Sequence, residues 1–174
     1  MLRFLLTGVT GVAVVYMITL TLMLHSKKIE VDTLKNDIVI TAQLYNKLNH
    51  DTQKYAETYH FIRSAGATVK QSQEVILYAQ QYAIDAKILA SLIRSESMFK
   101  EKVAHTDKNC KGVGGINTRL WGKKVGIEAV AKVLSALLEK SKGNYREALH
   151  YYKSYTPKGL ELADRVLEYV EINK

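Results

Sequence analysis

A single proline, Pro157, and ten glycines are spread over 174 residues, so few positions oblige the backbone to leave a helix. Nothing in the chain alternates apolar and polar residues between turn signals as a half-buried strand would. The expected fold class is therefore all-α. A chain of this length holds one ordinary domain of roughly 100–150 residues with something attached, and not two full domains.

The attachment is at the beginning. Residues 4–24, FLLTGVTGVAVVYMITLTLML, form an uncharged run of 21 residues, which as a helix is about 30 Å long and matches a bilayer core. A cleavable signal peptide has a shorter apolar region, about 7–15 residues, ending in small residues. Here the run continues to Met23-Leu24-His25, so an uncleaved transmembrane anchor over residues 1–28 is expected. Arg3 on one side and Lys27 and Lys28 on the other leave its orientation open.

Residues 29–65 are expected to be a helical stalk. Between residues 31 and 62 a heptad places Val31, Ile38, Tyr45, Thr52 and Tyr59 at one seam position. Leu34, Thr41, Leu48, Tyr55 and Ile62 occupy the other. A stripe of four to five heptads suits a homo-oligomeric coiled coil through residues 31–62, and equally a helix lying on another element of the same chain. Ser64-Ala65-Gly66-Ala67 breaks the pattern, and residues 66–174 are expected to be the globular domain.

Five amphipathic helices are legible in that domain. Ser72 is the expected cap of the first, which carries Val75, Ile76, Ala79 and Tyr82, and Asp85 caps the second, with Ile88, Leu89, Leu92 and Ile93. The third runs over residues 126–140, and two more cover residues 145–154 and 160–170. About 110 residues in five helices can enclose one core.

Charge narrows the partners only slightly. Of the net +8, +6 falls from residue 66 onward, as 18 Lys/Arg against 12 Asp/Glu, without forming a basic arm. Such a domain is drawn to any polyanion. Without aromatic-and-basic RNA-binding patterns or zinc-finger spacing, no nucleic-acid partner is expected. Cys110 is the sole cysteine, and with His105 it makes at most half a metal site; His50 and His60 also lack further ligands at usable spacing. Neither metal nor cofactor is expected.

The residues that carry chemistry begin with Glu96. Leu89, Leu92 and Ile93 define a buried helix face, and Glu96, three residues beyond Ile93, falls at its edge in the last turn. Burial and the negative end of a helix both disfavour an ionised carboxyl. That environment suits a general acid. The stretch continues as Ser97-Met98-Phe99, followed by Gly112-Val113-Gly114-Gly115-Ile116-Asn117 and later by Ala148-Leu149-His150-Tyr151-Tyr152-Lys153.

These three elements resemble the soluble lytic transglycosylase domain, a lysozyme-like family marked by an apolar helix ending in Glu-Ser-x-Phe, a Gly-rich loop and a helix with Ala-Leu-x-x-Tyr-Asn. The resemblance covers residues 70–172, including Tyr82-Ala83-Ile84-Asp85 before the catalytic helix and residues 162–170 as the closing helix. It implies a lysozyme-like fold, and a protein that cleaves the MurNAc–GlcNAc bond of peptidoglycan to leave 1,6-anhydroMurNAc ends, with its domain in the periplasm or, if phage-encoded, directed to the wall.

On that resemblance Glu96 is general acid and base. Ser97 bonds the carboxyl or the substrate, Gly114 and Gly115 bring backbone N–H groups to the sugar, and Tyr152 holds Glu96. Asn117, or Thr118 if the loop is displaced by one residue, stands where the family has Gln, and Lys153 replaces the family's Asn. These departures leave a second expectation, a domain that binds the wall without cutting it within an envelope-spanning assembly, and a third, a purely structural coiled-coil membrane protein. Asp107 is the residue that would serve a lysozyme with two carboxylates. Trp121 is expected in the core or the groove, and Tyr145, Tyr151 and Tyr155 are expected to pack.

Overall fold

The computed structural model describes residues 2–103, 105, 108–122, 124–153 and 156–173, with side chains from residue 15 onward. Among these the chain is all-α apart from one short hairpin. The order is α1 (Leu2–Ser64), α2 (Val69–Gln81), α3 (Ala86–Ser97), β1 (Cys110–Lys111), β2 (Ile116–Asn117), α4 (Thr118–Trp121), α5 (Ile127–Lys140), α6 (Tyr145–Lys153) and α7 (Pro157–Ile172).

The chain divides into two compact units, Met1–Thr52 and Gln53–Lys174. Every described side chain of residues 15–57 is exposed. Residues 4–14 of the apolar run lie outside the described side chains. Among the described residues no helix is long and apolar enough to cross a membrane.

The globular unit starts earlier than the helix break at Ser64–Ala67 suggests. Phe61 and Ile62, still inside α1, are 5% and 0% exposed and belong to the core. The expected boundary at residue 66 marks where α1 ends; it does not mark where packing begins. α1 stops in a Schellman motif: Gly66, at φ +103°, donates to the Arg63 carbonyl, and Ala67 donates to that of Ile62.

α2 is capped by Thr68 and not by the expected Ser72. The Thr68 hydroxyl accepts from the Gln71 N–H, and the Gln71 side chain accepts from the Thr68 N–H. Ser72 lies within the helix, fully buried, and its hydroxyl donates to the Thr68 carbonyl. The capping expected of Asp85 is observed: its carboxylate accepts from the N–H groups of Lys87 and Ile88. The short corner between α2 and α3 thereby fixes where α3 begins.

α3 is the centre of the unit, with Leu89, Ala90, Leu92 and Ile93 all 0% exposed. It packs against α2, α5 and α7, and α6 joins α5 to α7. Val130, Leu134, Leu149, Leu162 and Val166, each 0–1% exposed, complete the core. Burying one such side chain stabilises the fold by about 1.5–3 kcal/mol. α5, α6 and α7 fall within a few residues of the expected spans, and Pro157 opens α7 at a position where its missing N–H costs nothing. α4 and the β1–β2 hairpin were not expected.

Candidate active site

α3 ends abruptly at Ser97, one residue after Glu96. Met98 and Phe99 both have left-handed backbones, φ +53° and +61°, a conformation costing about 1–2 kcal/mol for a side-chain-bearing residue. The turn drives Phe99 into the core at 4% exposure, and the Gln71 amide donates to its carbonyl. Glu96 thus sits in the last turn of a helix whose opposite face is anchored.

The Gly-rich loop is the other wall. β1 and β2 pair antiparallel with Cys110 opposite Asn117 and Lys111 opposite Ile116, so residues 112–115 form the tip, closed by a bond from the Gly115 N–H to the Gly112 carbonyl. At Gly114 and Gly115 side chains are excluded by contact. A Cβ on Gly115 would lie 2.8 Å from Glu96 Oε2, and one on Gly114 would lie 2.2 Å from Val130 Cγ2.

Glu96 is enclosed: its side chain is 3% exposed. Lys153, at the end of α6 and 45% exposed, donates to both carboxylate oxygens at 2.9 and 2.8 Å. His105 completes the rim. Its Nε2–H donates to the Gly112 carbonyl at 2.9 Å, and its Nδ1 lies 3.2 Å from the point a Gly115 side chain would occupy. The sequence places His105 only as a partner for Cys110; its position beside Glu96 follows from the fold of the loop and has no local signal.

Tyr152 differs from expectation. Its hydroxyl donates to the Gly114 carbonyl at 2.8 Å and does not hold the carboxyl of Glu96. Burial first, then the charges of Glu96 and Cys110, push its phenol well above the usual tyrosine value. It therefore stays a donor to the loop throughout the working pH range. Phenylalanine at this position leaves the Gly114 carbonyl without that donor, an expected loss of about 1–3 kcal/mol in urea unfolding. Because the native phenol titrates later than the unfolded one, its contribution is complete below pH 10.0 and declines as pH rises beyond it. Wild type should lose stability above that pH more steeply than Tyr152→Phe. Equal slopes would remove the hydroxyl from this role.

Two further expected contacts are engaged elsewhere. The Ser97 hydroxyl is buried and donates to the Ile93 carbonyl at 3.2 Å. The Asn117 side chain caps α4, accepting from the N–H groups of Arg119 and Leu120. Thr118 is tied to the Asn109 carbonyl by both its N–H and its hydroxyl. Asp107 and Tyr155 lie outside the described residues. Tyr145 and Tyr151 are half-buried against the core, and Trp121, 43% exposed, lies on the surface.

Ile116, the residue after Gly115, also lines a cavity of about 200 Å³ with Trp121, Lys124, Glu128 and Lys132; Glu96 is not part of its lining. An indole beside two ammonium groups and the Glu128 carboxylate gives this cavity an apolar face with polar groups of both signs, which suits a sugar ring. Among the described residues no group of three or more His, Cys, Asp or Glu is placed to hold a metal ion.

The chain matches no protein-family model, and no curated protein or solved structure is significantly similar to it. The site's geometry therefore stands by itself.

Proposed function

We propose that this chain is a peptidoglycan lytic transglycosylase, held to the membrane by residues 4–24 and acting through Glu96 on glycan strands in the periplasm. The observation that carries the reading is the convergence on one enclosed carboxyl of three elements far apart in sequence: the end of α3, the glycine loop at residues 112–115 and the end of α6. These are the elements on which the resemblance rests, and a lysozyme-like fold is part of the proposal.

One carboxyl suffices for the chemistry. Glu96 gives its proton to the oxygen linking MurNAc to GlcNAc as the bond from the MurNAc C1 breaks. The substrate's acetamido group stabilises the cationic sugar. The C6 hydroxyl then closes on C1 and returns its proton to Glu96, so that acid and base are one residue and no water is consumed. Trp121 and the nearby lysines would hold the strand.

Lys153 favours a second reading. Its ammonium is bound to both carboxylate oxygens, and substrate must displace it before Glu96 can reach the glycosidic oxygen. If it is not displaced, the chain binds the wall without cutting it. Incubating the detergent-solubilised full-length chain with sacculi and identifying soluble fragments by mass spectrometry separates the readings. Fragments ending in 1,6-anhydroMurNAc are expected. Reducing ends would replace the transglycosylase with a hydrolase, and intact sacculi carrying bound protein would favour the binder.

A further inference from the structure

We propose that residues 31–55 of α1 form a parallel, two-stranded coiled coil with a second copy of this chain. The starting observation is a continuous helix whose apolar stripe stays exposed along its length, with only Tyr55 at its end meeting another ring, that of Tyr59. Val31, Leu34, Ile38, Tyr45, Leu48 and Tyr55 are 47–67% exposed. Helices of this kind draw most of their stability from packing an apolar face, and not from propensity.

The periodicity says how the face is covered. Val31, Ile38, Tyr45 and Thr52 repeat every seven residues, and Leu34, Thr41, Leu48 and Tyr55 follow three residues behind. These are the a and d positions of a left-handed supercoil, over a length of about 36 Å. None of the eight is charged, whereas Asp32, Lys35, Asp37, Lys47, Asp51 and Lys54 all lie off the seam.

The two threonines fit the seam better than their composition suggests. The Thr41 hydroxyl donates to the Asp37 carbonyl and that of Thr52 to the Leu48 carbonyl, both at 2.8 Å. Their polar atoms are thus satisfied within the helix, and pairing leaves neither threonine hydroxyl without a partner. The stripe also has a defined end. Tyr59 packs against the core and Ile62 is 0% exposed, so the next seam residues are used by the globular unit itself. Four heptads remain for another chain.

Seam chemistry and flanking charge choose the partner. β-Branched Val31, Ile38 and Thr52 at a, with Leu34 and Leu48 at d, favour two parallel strands. In a parallel, in-register pair each g residue faces the e residue five positions on in the other helix. Glu30, whose carboxylate also accepts from Lys27 of its own helix at 2.9 Å, then meets Lys35 of the second copy, while Asp37 meets Ala42, Leu44 meets Asn49 and Asp51 meets Ala56. One pair is complementary and none sets like charges together, so a second copy is a compatible partner without any change of sequence. Val39 and Ile40, on the outer face, stay uncovered by this pairing.

The test uses the full-length chain in detergent, with Cys110→Ser as background. Light scattering should give a protein mass twice 19.6 kDa, and Leu34→Lys combined with Leu48→Lys should return it to one chain. Leu48→Cys, at d, should oxidise to an interchain disulfide far more completely than Gln43→Cys on the outer face. A monomeric or trimeric parent overturns the proposal. So does a dimer that survives both lysines, or one whose two cysteine variants cross-link equally. None of these outcomes depends on cutting activity.

Discussion

Glu96→Gln is expected to lower release of anhydro-muropeptides from sacculi by about 10²–10⁴-fold, the range a positioned acid–base group contributes. Glutamine has nearly the shape of the glutamate, so it fits in the same place against Gly115. Its carbonyl can still accept from Lys153, whose side chain is 45% exposed and so within reach of water. The thermal midpoint should therefore move little. What disappears is the proton: an amide neither protonates the glycosidic oxygen nor takes a proton from the C6 hydroxyl. Retained binding to sacculi together with lost cutting would mark a chemical defect and not a folding one. Unchanged cutting would remove Glu96 from the reaction and direct attention to Asp107.

Why so much of the helical unit is legible, and so little of its loop, follows from the range of the interactions. α3 and α5 carry apolar residues at helical spacing, and Asp85 caps through its own neighbours, so short stretches of sequence specify them. The cap of α2 is equally local. Thr68 and Gln71 form a capping box that precedes the hydroxyl of Ser72, and reading the first apolar turn too late selects the wrong residue. The strands of the hairpin are two residues each, too short for any alternation to register. The early start of the globular unit is hidden for another reason: Tyr55, Tyr59 and Ile62 continue one heptad stripe, although the last of them is buried in the core.

In the site, the acid and its glycine wall are visible as residue types, but the partners of those residues are not. Tyr152 and Lys153 are adjacent in sequence and diverge in space, one to the Gly114 carbonyl and the other to Glu96. Only the packing of α6 against α5 assigns these directions. Ser97 and Asn117 show the competing pull of local backbone groups on short polar side chains. Their hydroxyl and amide satisfy nearby helix groups, which a motif comparison does not reveal.

Gly114→Ala is expected to be the more damaging change to the fold. A buried glycine can be needed for its backbone or for its space, and the two have different remedies. Gly115 has φ +58° and faces Glu96, so alanine there is strained in either case. For Gly114 the obstacle is space: an added Cβ would lie 2.2 Å from Val130 Cγ2, 3.2 Å from its Cγ1 and 2.9 Å from the Tyr152 hydroxyl. Val130 is 0% exposed in the middle of the core and has nowhere to retreat. Overpacking of this kind costs about 1–3 kcal/mol, and any relief obtained by lifting the loop carries its tip away from Glu96. Gly114→Ala should therefore lower both the urea midpoint and the rate of cutting. Val130→Ala removes the closest obstacle, Cγ2, together with Cγ1, and leaves only the Tyr152 hydroxyl near the added Cβ, so the double variant should be more stable than the sum of the two single effects allows. Coupling of that sign is what a wedged loop predicts. Additive effects would mean that the loop and α5 do not touch in solution, and the wall assigned to Glu96 would lose its support.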